Sequence, residues 1–340
     1  MIADRAAVMP KIRPLLIILA SLLAPAAAAA DAPPVLRYGQ AYSAAKSVYS
    51  LPVAIAEREG FFRREGLDFR IVIPLPGGAD RMIAALHDDT VDVTHVATTF
   101  LVRAALAGSD AVAIAAEFNN PVYTLVARPE IAQIAELRGK PVGMADPGGS
   151  IALSMRKLFA RHGVAMNELA LKVIEGTPAR LGCLRRGECA AVPLGQPQDL
   201  QALAEGYRAL GLSTDAVPEF VYTVTAARRS WAATHRDAVV RYVRGLAAAF
   251  RHIRDPANRA AVAQVIVETT GVSSAVALRT LALYFEPERR VLPREGEIDP
   301  AGMAQAIAFM GEGGLLTAPL PPAARFYDTS YLRAAGVRQP

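Results

Sequence analysis

The chain has 340 residues and a formal charge of +5, with 52% hydrophobic and 20% charged residues. That balance is too apolar for a disordered chain, and the length allows two domains that each bury a core without staples. Two cysteines exclude a disulfide framework and a multi-cysteine zinc site.

Residues 1–30 have the layout of a cleavable secretory signal. Arg5, Lys11 and Arg13 form a basic start, Leu15 to Leu23 reads LLIILASLL, and Ala28-Ala29-Ala30 offers a cleavage site before Asp31. The apolar run falls well short of the roughly 20 residues a spanning helix needs. Cleavage would remove three basic residues and one acidic one, lowering the charge from +5 to +3. What remains is scattered, with no basic stripe interleaved with aromatics, so neither nucleic acid nor a membrane surface is an expected partner. The expected compartment is the periplasm.

Strands and helices then alternate. Val35 to Gly39 reads as a strand. Ser50 stands as a helix N-cap with Pro52 just inside, and Gly60 as the stop. Leu67 to Pro74 is a strand, followed by Gly77-Gly78 and a helix through Leu86. Val91 to Val96 is the next strand, Thr98-Thr99 cap a helix to Ala107, and Ala111 to Glu117 is a further strand. Strands separated by helices predict βαβ units and parallel sheets.

A second series begins at Val122 to Ala127. It continues through Pro141 to Met144, a helix opened by Gly148-Gly149-Ser150, and strands at Leu171 to Ile174, Cys189 to Val192 and Tyr207 to Leu212. Phe220 to Thr225 reads as a strand returning to the first lobe, and from Arg228 the pattern is helical: 229–254, 256–270, 273–285 and 299–312. The proline-rich tail is expected to wrap the surface. The expected organisation is a lobe of residues 31–121 and 223–340, a second lobe of residues 122–222, and a cleft between them at the carboxyl ends of the strands. Cys183 and Cys189 either close a short loop in an oxidising compartment or stand as two unlinked small apolar residues.

The stretch AIAEREGFFRREGLDFRIVI (Ala54 to Ile73) resembles the opening of substrate-binding proteins of the nitrate, sulfonate and taurine type, a group that includes carriers of thiamine-pyrimidine precursors. The likeness continues through GGADRMIAALHDDTVDVTHV, LVRAALAGSDAVAIAA, IAQIAELRGKPVGM with its Leu137–Gly139–Lys140 turn, and ALRTL and FYDTSYLRAAGV near the end. The order and spacing of these motifs cover nearly the whole chain after residue 30. The resemblance implies an α/β, two-lobed periplasmic-binding-protein fold of type II. It also implies a monomeric solute-binding component of an ABC importer that captures a small organic solute for a membrane permease and its ATPase. No cofactor or metal is implied.

Several residues read as candidate ligand contacts. Gly77 and Gly78 let backbone N–H groups approach a ligand at a helix start, or simply turn tightly. Thr98, Thr99 and Gly149-Ser150 open helices at equivalent strand ends, so that helix N-termini would converge on an anionic or strongly hydrogen-bonding group. Tyr42 and Ser43 would line the other wall, and Asn119-Asn120 lie at the first crossing. Gln196 sits where the resembled family places contacts from the second lobe. The chain departs from that family at Cys189-Ala190, where a valine or isoleucine followed by aspartate is usual. Phe61 and Phe62 read as core.

None of these loops carries an arginine fork; Arg81 and Lys46 read as solvated. The expected solute is anionic, sulfonate- or carboxylate-like, with a neutral aromatic stacked on Tyr42 or Trp231 as the alternative. The five histidines are isolated, and no hydrolase or phosphate-loop motif is present. His95, on a strand beside the cleft, is either a satisfied core residue or a contact. The competing class is an enzyme on the same fold, of pyrimidine-synthase or desulfinase type, and a binding component for another transporter or sensor is the nearer variant.

Overall fold

The computed structural model describes Met1 and residues 32–72, 79–217, 219–285 and 290–340. Residues 2–31, where a secretory signal is expected, and Gly77-Gly78 lie outside the described residues. The strands are β1 (Val35–Gly39), β2 (Asp68–Val72), β3 (Val93–Ala97), β4 (Ala111–Phe118), β5 (Tyr123–Ala127), β6 (Pro141–Met144), β7 (Ala170–Val173), β8 (Ala191–Gly195), β9 (Arg208–Leu212) and β10 (Thr223–Arg228). The helices are α1 (Tyr42–Ala45), α2 (Leu51–Arg58), α3 (Phe61–Arg64), α4 (Ala79–His87), α5 (Thr98–Leu106), α6 (Ser150–Arg161), α7 (Thr177–Arg185) and α8 (Gln198–Ala204). After β10 come α9 (Arg229–Thr234), α10 (Arg236–Arg254), α11 (Arg259–Thr270), α12 (Ser274–Tyr284), α13 (Pro300–Glu312) and α14 (Ser330–Ala334). Among the described residues no single helix is long and apolar enough to cross a membrane.

The strands form two five-stranded sheets, ordered β2-β1-β3-β10-β4 and β7-β6-β8-β5-β9. The expectation of parallel sheets fails at one strand in each. β10 runs antiparallel to β3 and β4, and β5 runs antiparallel to β8 and β9. The cause is connectivity. These are the strands at which the chain arrives from the other sheet. Such a strand starts at the edge of the cleft where the others end, and so runs away from it.

Burial follows from the sequence pattern. β4 (AVAIAAEF) is buried along its whole length and β3 nearly so, as continuous apolar runs require when both faces are covered. α10 turns its apolar stripe onto the first sheet, where Tyr242 stacks on Phe62 with ring centroids 5.4 Å apart, and Phe62 on Phe69 at 4.1 Å. A Cβ at Gly245 would lie 2.5 Å from the Phe62 ring, so only glycine lets the helix approach this closely. Removing such a buried phenylalanine ring costs about 3–5 kcal/mol. Phe62 is core as expected, whereas Phe61 is only partly buried, edge-on to His252.

Three local expectations need correction. Ser50 occupies the N-cap position of α2 but turns its hydroxyl back to the Ser47 carbonyl, 2.9 Å away. The helix expected over 229–254 breaks at His235 into α9 and α10. The tail does not merely wrap the surface: Tyr327 bridges Ala113 beside β4, and Phe326 and Leu332 are fully buried. Cys183 and Cys189 are joined in a disulfide with Cα atoms 5.4 Å apart, which fastens the last turn of α7 to the approach to β8.

Candidate functional site

A cavity of about 150 Å³ lies where the carboxyl ends of β3, β6 and β7 meet the starts of β5 and β10. That is roughly the volume that admits a benzene-sized molecule. One wall comes from the first sheet: His95, Val96 and Ala97 of β3, Phe100 of α5, and Tyr222-Thr223 entering β10. The other comes from the second sheet: Ala145, Asp146 and Gly149-Ser150-Ile151 at the start of α6, and Glu175, Gly176, Thr177 and Arg180 at the start of α7. Ser43 of α1, with Ser47 and Tyr49 beyond it, closes a side.

The two walls touch through their helix starts. Thr99 Oγ1 and Ser150 Oγ, from the first turns of α5 and α6, lie 3.2 Å apart in a buried hydrogen bond. The N-cap residues are Ala97 and Gly149, so neither Thr98, Thr99 nor Ser150 caps with its side chain as expected. Freed from capping, the Ser150 hydroxyl stands at the cavity wall with Thr99 behind it, beside the N–H groups of the first turn of α6. Thr98 is fully buried with a hydroxyl unpartnered among the described residues, but it does not line the cavity.

Arg180 is the residue that sequence reasoning missed. Its side chain is 1% exposed, and the guanidinium donates from Nε to Pro193 O (2.8 Å), from Nη1 to Ile174 O (3.0 Å) and from Nη2 to Thr177 Oγ1 (3.2 Å). These contacts use three of an arginine's five donors. Among the described residues it has no salt-bridge partner. Burial pushes the guanidinium below the ordinary arginine value, with Tyr123 and Glu175 opposing that shift. A buried cation with no carboxylate in contact costs several kcal/mol, roughly, unless an anion joins it. The local grammar is the same as at α6: a strand end, a glycine (Gly176, φ 82°), a first-turn hydroxyl (Thr177) and then a helix, with the arginine one turn further in.

A tyrosine cluster completes the enclosure. Tyr49 and Tyr123 stack with centroids 6.0 Å apart, Tyr222 meets both edge-on, and the hydroxyls of Tyr123 and Tyr222 are 3.3 Å apart. Burial holds the Tyr49 and Tyr222 phenols well above their ordinary value, so both stay neutral donors. Among the described residues the Thr223 hydroxyl is buried at the cavity without a hydrogen-bond partner. Buried polar groups of that kind are uncommon and call for a partner.

The remaining sequence candidates fall elsewhere. Asn119 and Asn120 stand at the crossing and do not line the cavity; Asn119 N–H donates to Val291 O, and Asn120 Oδ1 accepts from Phe220 N–H. Gln196 is fully buried, donating to Asp199 Oδ2 (2.8 Å) and accepting from Tyr284 Oη (3.2 Å), which makes it a brace behind the site. Tyr42 opens α1. Trp231 stacks on His235 away from the cavity, and Arg81 and Lys46 are exposed, as expected.

The same arrangement of sheets occurs in solved structures. The alkanesulfonate-binding protein SsuA from Xanthomonas axonopodis pv. citri, bound to MOPS, superposes with a TM-score of 0.67 at 19% identity, over 86% of this chain and 98% of that one. The periplasmic nitrate-binding protein NrtA from Synechocystis PCC 6803 gives 0.71 at 14% identity, over 89% and 88%. The desulfurization enzyme DSZB gives 0.64 at 13% identity, over 89% and 98%. The architecture is therefore the α/β periplasmic-binding-protein fold, with a cavity where its two sheets meet. The chain belongs to the NMT1-like family, whose model matches residues 45–267. A comparison with curated proteins gives no match.

Proposed function

We propose that this protein is the extracytoplasmic solute-binding component of an ABC importer, and that its solute is a small organic anion of sulfonate or carboxylate type. The observation that carries the reading is Arg180, a fully buried guanidinium at the cavity wall with spare donors and no carboxylate partner among the described residues. A cation kept in that state is matched by a ligand's negative charge. The cavity volume limits the bound portion to a small group, and the neighbouring solved proteins that bind an alkanesulfonate or nitrate are consistent with anionic cargo.

In this reading residues 31–121 with 223–340 form one lobe and residues 122–222 the other. They close on the solute by hinge motion at the crossings near 119–123 and 219–224. Closure follows ligand to the extent that the closed state binds it better. Arg180, Ser150, Gly149, Tyr49, Thr223 and Ser43 are the contacts, with Thr99 behind Ser150. The loaded monomer then docks on a membrane permease whose ATPase supplies the energy.

A second reading, an enzyme on the same fold, draws on the buried His95–Glu117 pair at the wall and on the desulfurization enzyme that shares the architecture. Native mass spectrometry of protein purified from its host, followed by calorimetry with the co-purified anion, separates the two. One equivalent of anion recovered chemically unchanged supports the carrier. Conversion of the anion on incubation overturns it.

A further inference from the structure

His95 is held from behind by an unusually complete set of partners. Its Nδ1 lies 2.6 Å from Oε2 of Glu117, a carboxylate with no solvent exposure. Oε1 of the same carboxylate accepts from Thr225 Oγ1 at 2.6 Å, and the Tyr38 hydroxyl sits 3.3 and 3.4 Å from the two oxygens. Thr225 Oγ1 is also 2.8 Å from the Tyr242 hydroxyl. A hydroxyl has one hydrogen, so Tyr242 donates to Thr225 and Thr225 to Glu117. With donors converging on both carboxylate oxygens, Glu117 acts as acceptor throughout and Nδ1 of His95 carries the hydrogen.

That assignment has a chemical consequence at the cavity. His95 lines it, and with Nδ1 engaged the ring presents Nε2, which has no hydrogen-bond partner among the described residues. In the neutral ring with Nδ1–H, Nε2 is a bare lone pair. A lone pair repels the oxygen of an anion. Only by taking a proton does the ring become a donor there, and Glu117 behind it then balances the new charge.

We infer that His95 is a solute contact locked by Glu117 into the tautomer that must gain a proton to bind an oxyanion, so that the cavity captures its anion together with a proton from solvent. This rests on the anion-capture reading above. Glu117 is a positioning residue in this scheme. The other ionisable groups around His95 are Tyr38 on β1 and Tyr242 on α10 from behind, Tyr222 on the same wall, and Arg180, Tyr49 and Tyr123 elsewhere around the cavity. Asp146 and Glu175 stand at the rim, with Arg103 beside Asp146 at 3.7 Å. The buried tyrosines Tyr38, Tyr49, Tyr222 and Tyr242 are held neutral by burial, so they do not titrate with the histidine.

The test is calorimetry with methanesulfonate and nitrate, whose own charge does not change between about pH 5.5 and pH 8, the range where histidines titrate. Affinity is expected to be about tenfold higher at the acid end, with proton uptake seen as a buffer-dependent heat. His95→Gln supplies a donor that needs no proton and is expected to bind with a flat pH profile. Glu117→Gln releases the tautomer and flattens the profile as well. Should that variant not fold, nitrogen NMR of the wild-type imidazole, expected to show Nδ1–H and bare Nε2 at alkaline pH, carries the positioning claim. A flat wild-type profile with binding still lost in Arg180→Met overturns this inference and leaves the anion reading standing, as does an Nε2–H tautomer in the spectrum. If neither anion binds at any pH, both fall together.

Discussion

The two walls of the cavity handle buried charge in opposite ways. On the first-sheet side His95 has a carboxylate directly behind it, fed in turn by Thr225, Tyr38 and Tyr242. On the second-sheet side Arg180 rests on two carbonyls and a hydroxyl, neutral acceptors that orient the guanidinium without cancelling it. A carboxylate behind a side chain fixes its direction and balances its charge; carbonyl dipoles fix direction and leave the charge for a ligand. In the proposed carrier, one wall is thus an electrostatic anchor and the other a directional contact. The contrast also sets how each wall is braced. The first sheet relies on a large aromatic core, while α7 is additionally tied to the β8 approach by the Cys183–Cys189 bridge, one turn beyond Arg180.

The comparison can be broken at several points. Arg180→Met is expected to weaken anion binding by about 3 kcal/mol, roughly a hundredfold, in calorimetry. The loss of donors to Ile174 and Pro193 lowers stability by only about 1–3 kcal/mol in urea titration. A binding loss no larger than that of His95→Gln would erase the distinction between the walls. Replacing both Cys183 and Cys189 by serine opens a loop of sequence separation 6 and should lower stability by about 2 kcal/mol. Unchanged unfolding midpoints would show that α7 is held by packing alone. Combining Thr99→Ala with Ser150→Ala removes the hydroxyl pair where the walls meet; affinity should fall roughly tenfold with stability altered by less than about 1 kcal/mol. At the rim, Asp146→Asn removes a half-exposed negative charge and should raise anion affinity about twofold at low salt. The gain should vanish near 0.5 M salt, roughly, because the rim is solvated.

Much of the fold was legible because short apolar runs bounded by glycine, proline and small polar residues mark strand ends. β1 and β6 fall where the sequence puts them, and the others within a few residues. Strand direction was not legible. Nothing local distinguishes the YTLVA of β5 or the TVTAAR of β10 from a parallel strand; only the crossing from the other sheet reverses them. At the site, Ser43, Gly149 and Ser150 stand at the cavity and Thr99 reaches it through Ser150. Thr98, Asn119, Asn120 and Gln196 do not line it, because a residue's distance along a loop from a strand end does not say which way its side chain turns. Arg180 escaped because an arginine inside a short helix reads as solvated. The available signal was the Gly176-Thr177 helix start, which repeats the Gly149-Ser150 pattern.

In the proposed carrier, the hydrogen bond between Thr99 and Ser150 would give the cavity a filter against the wrong cargo. Each hydroxyl already has a partner, so a molecule entering there must offer an acceptor at least as good or leave the pair as it is. An oxyanion makes that trade favourably, since hydrogen bonds to a charged oxygen are roughly twice as strong as neutral ones. A similarly sized hydrocarbon would have to separate two buried hydroxyls with nothing to give them. Selectivity at this point is a matter of exchange, decided by what the newcomer returns to the groups it parts.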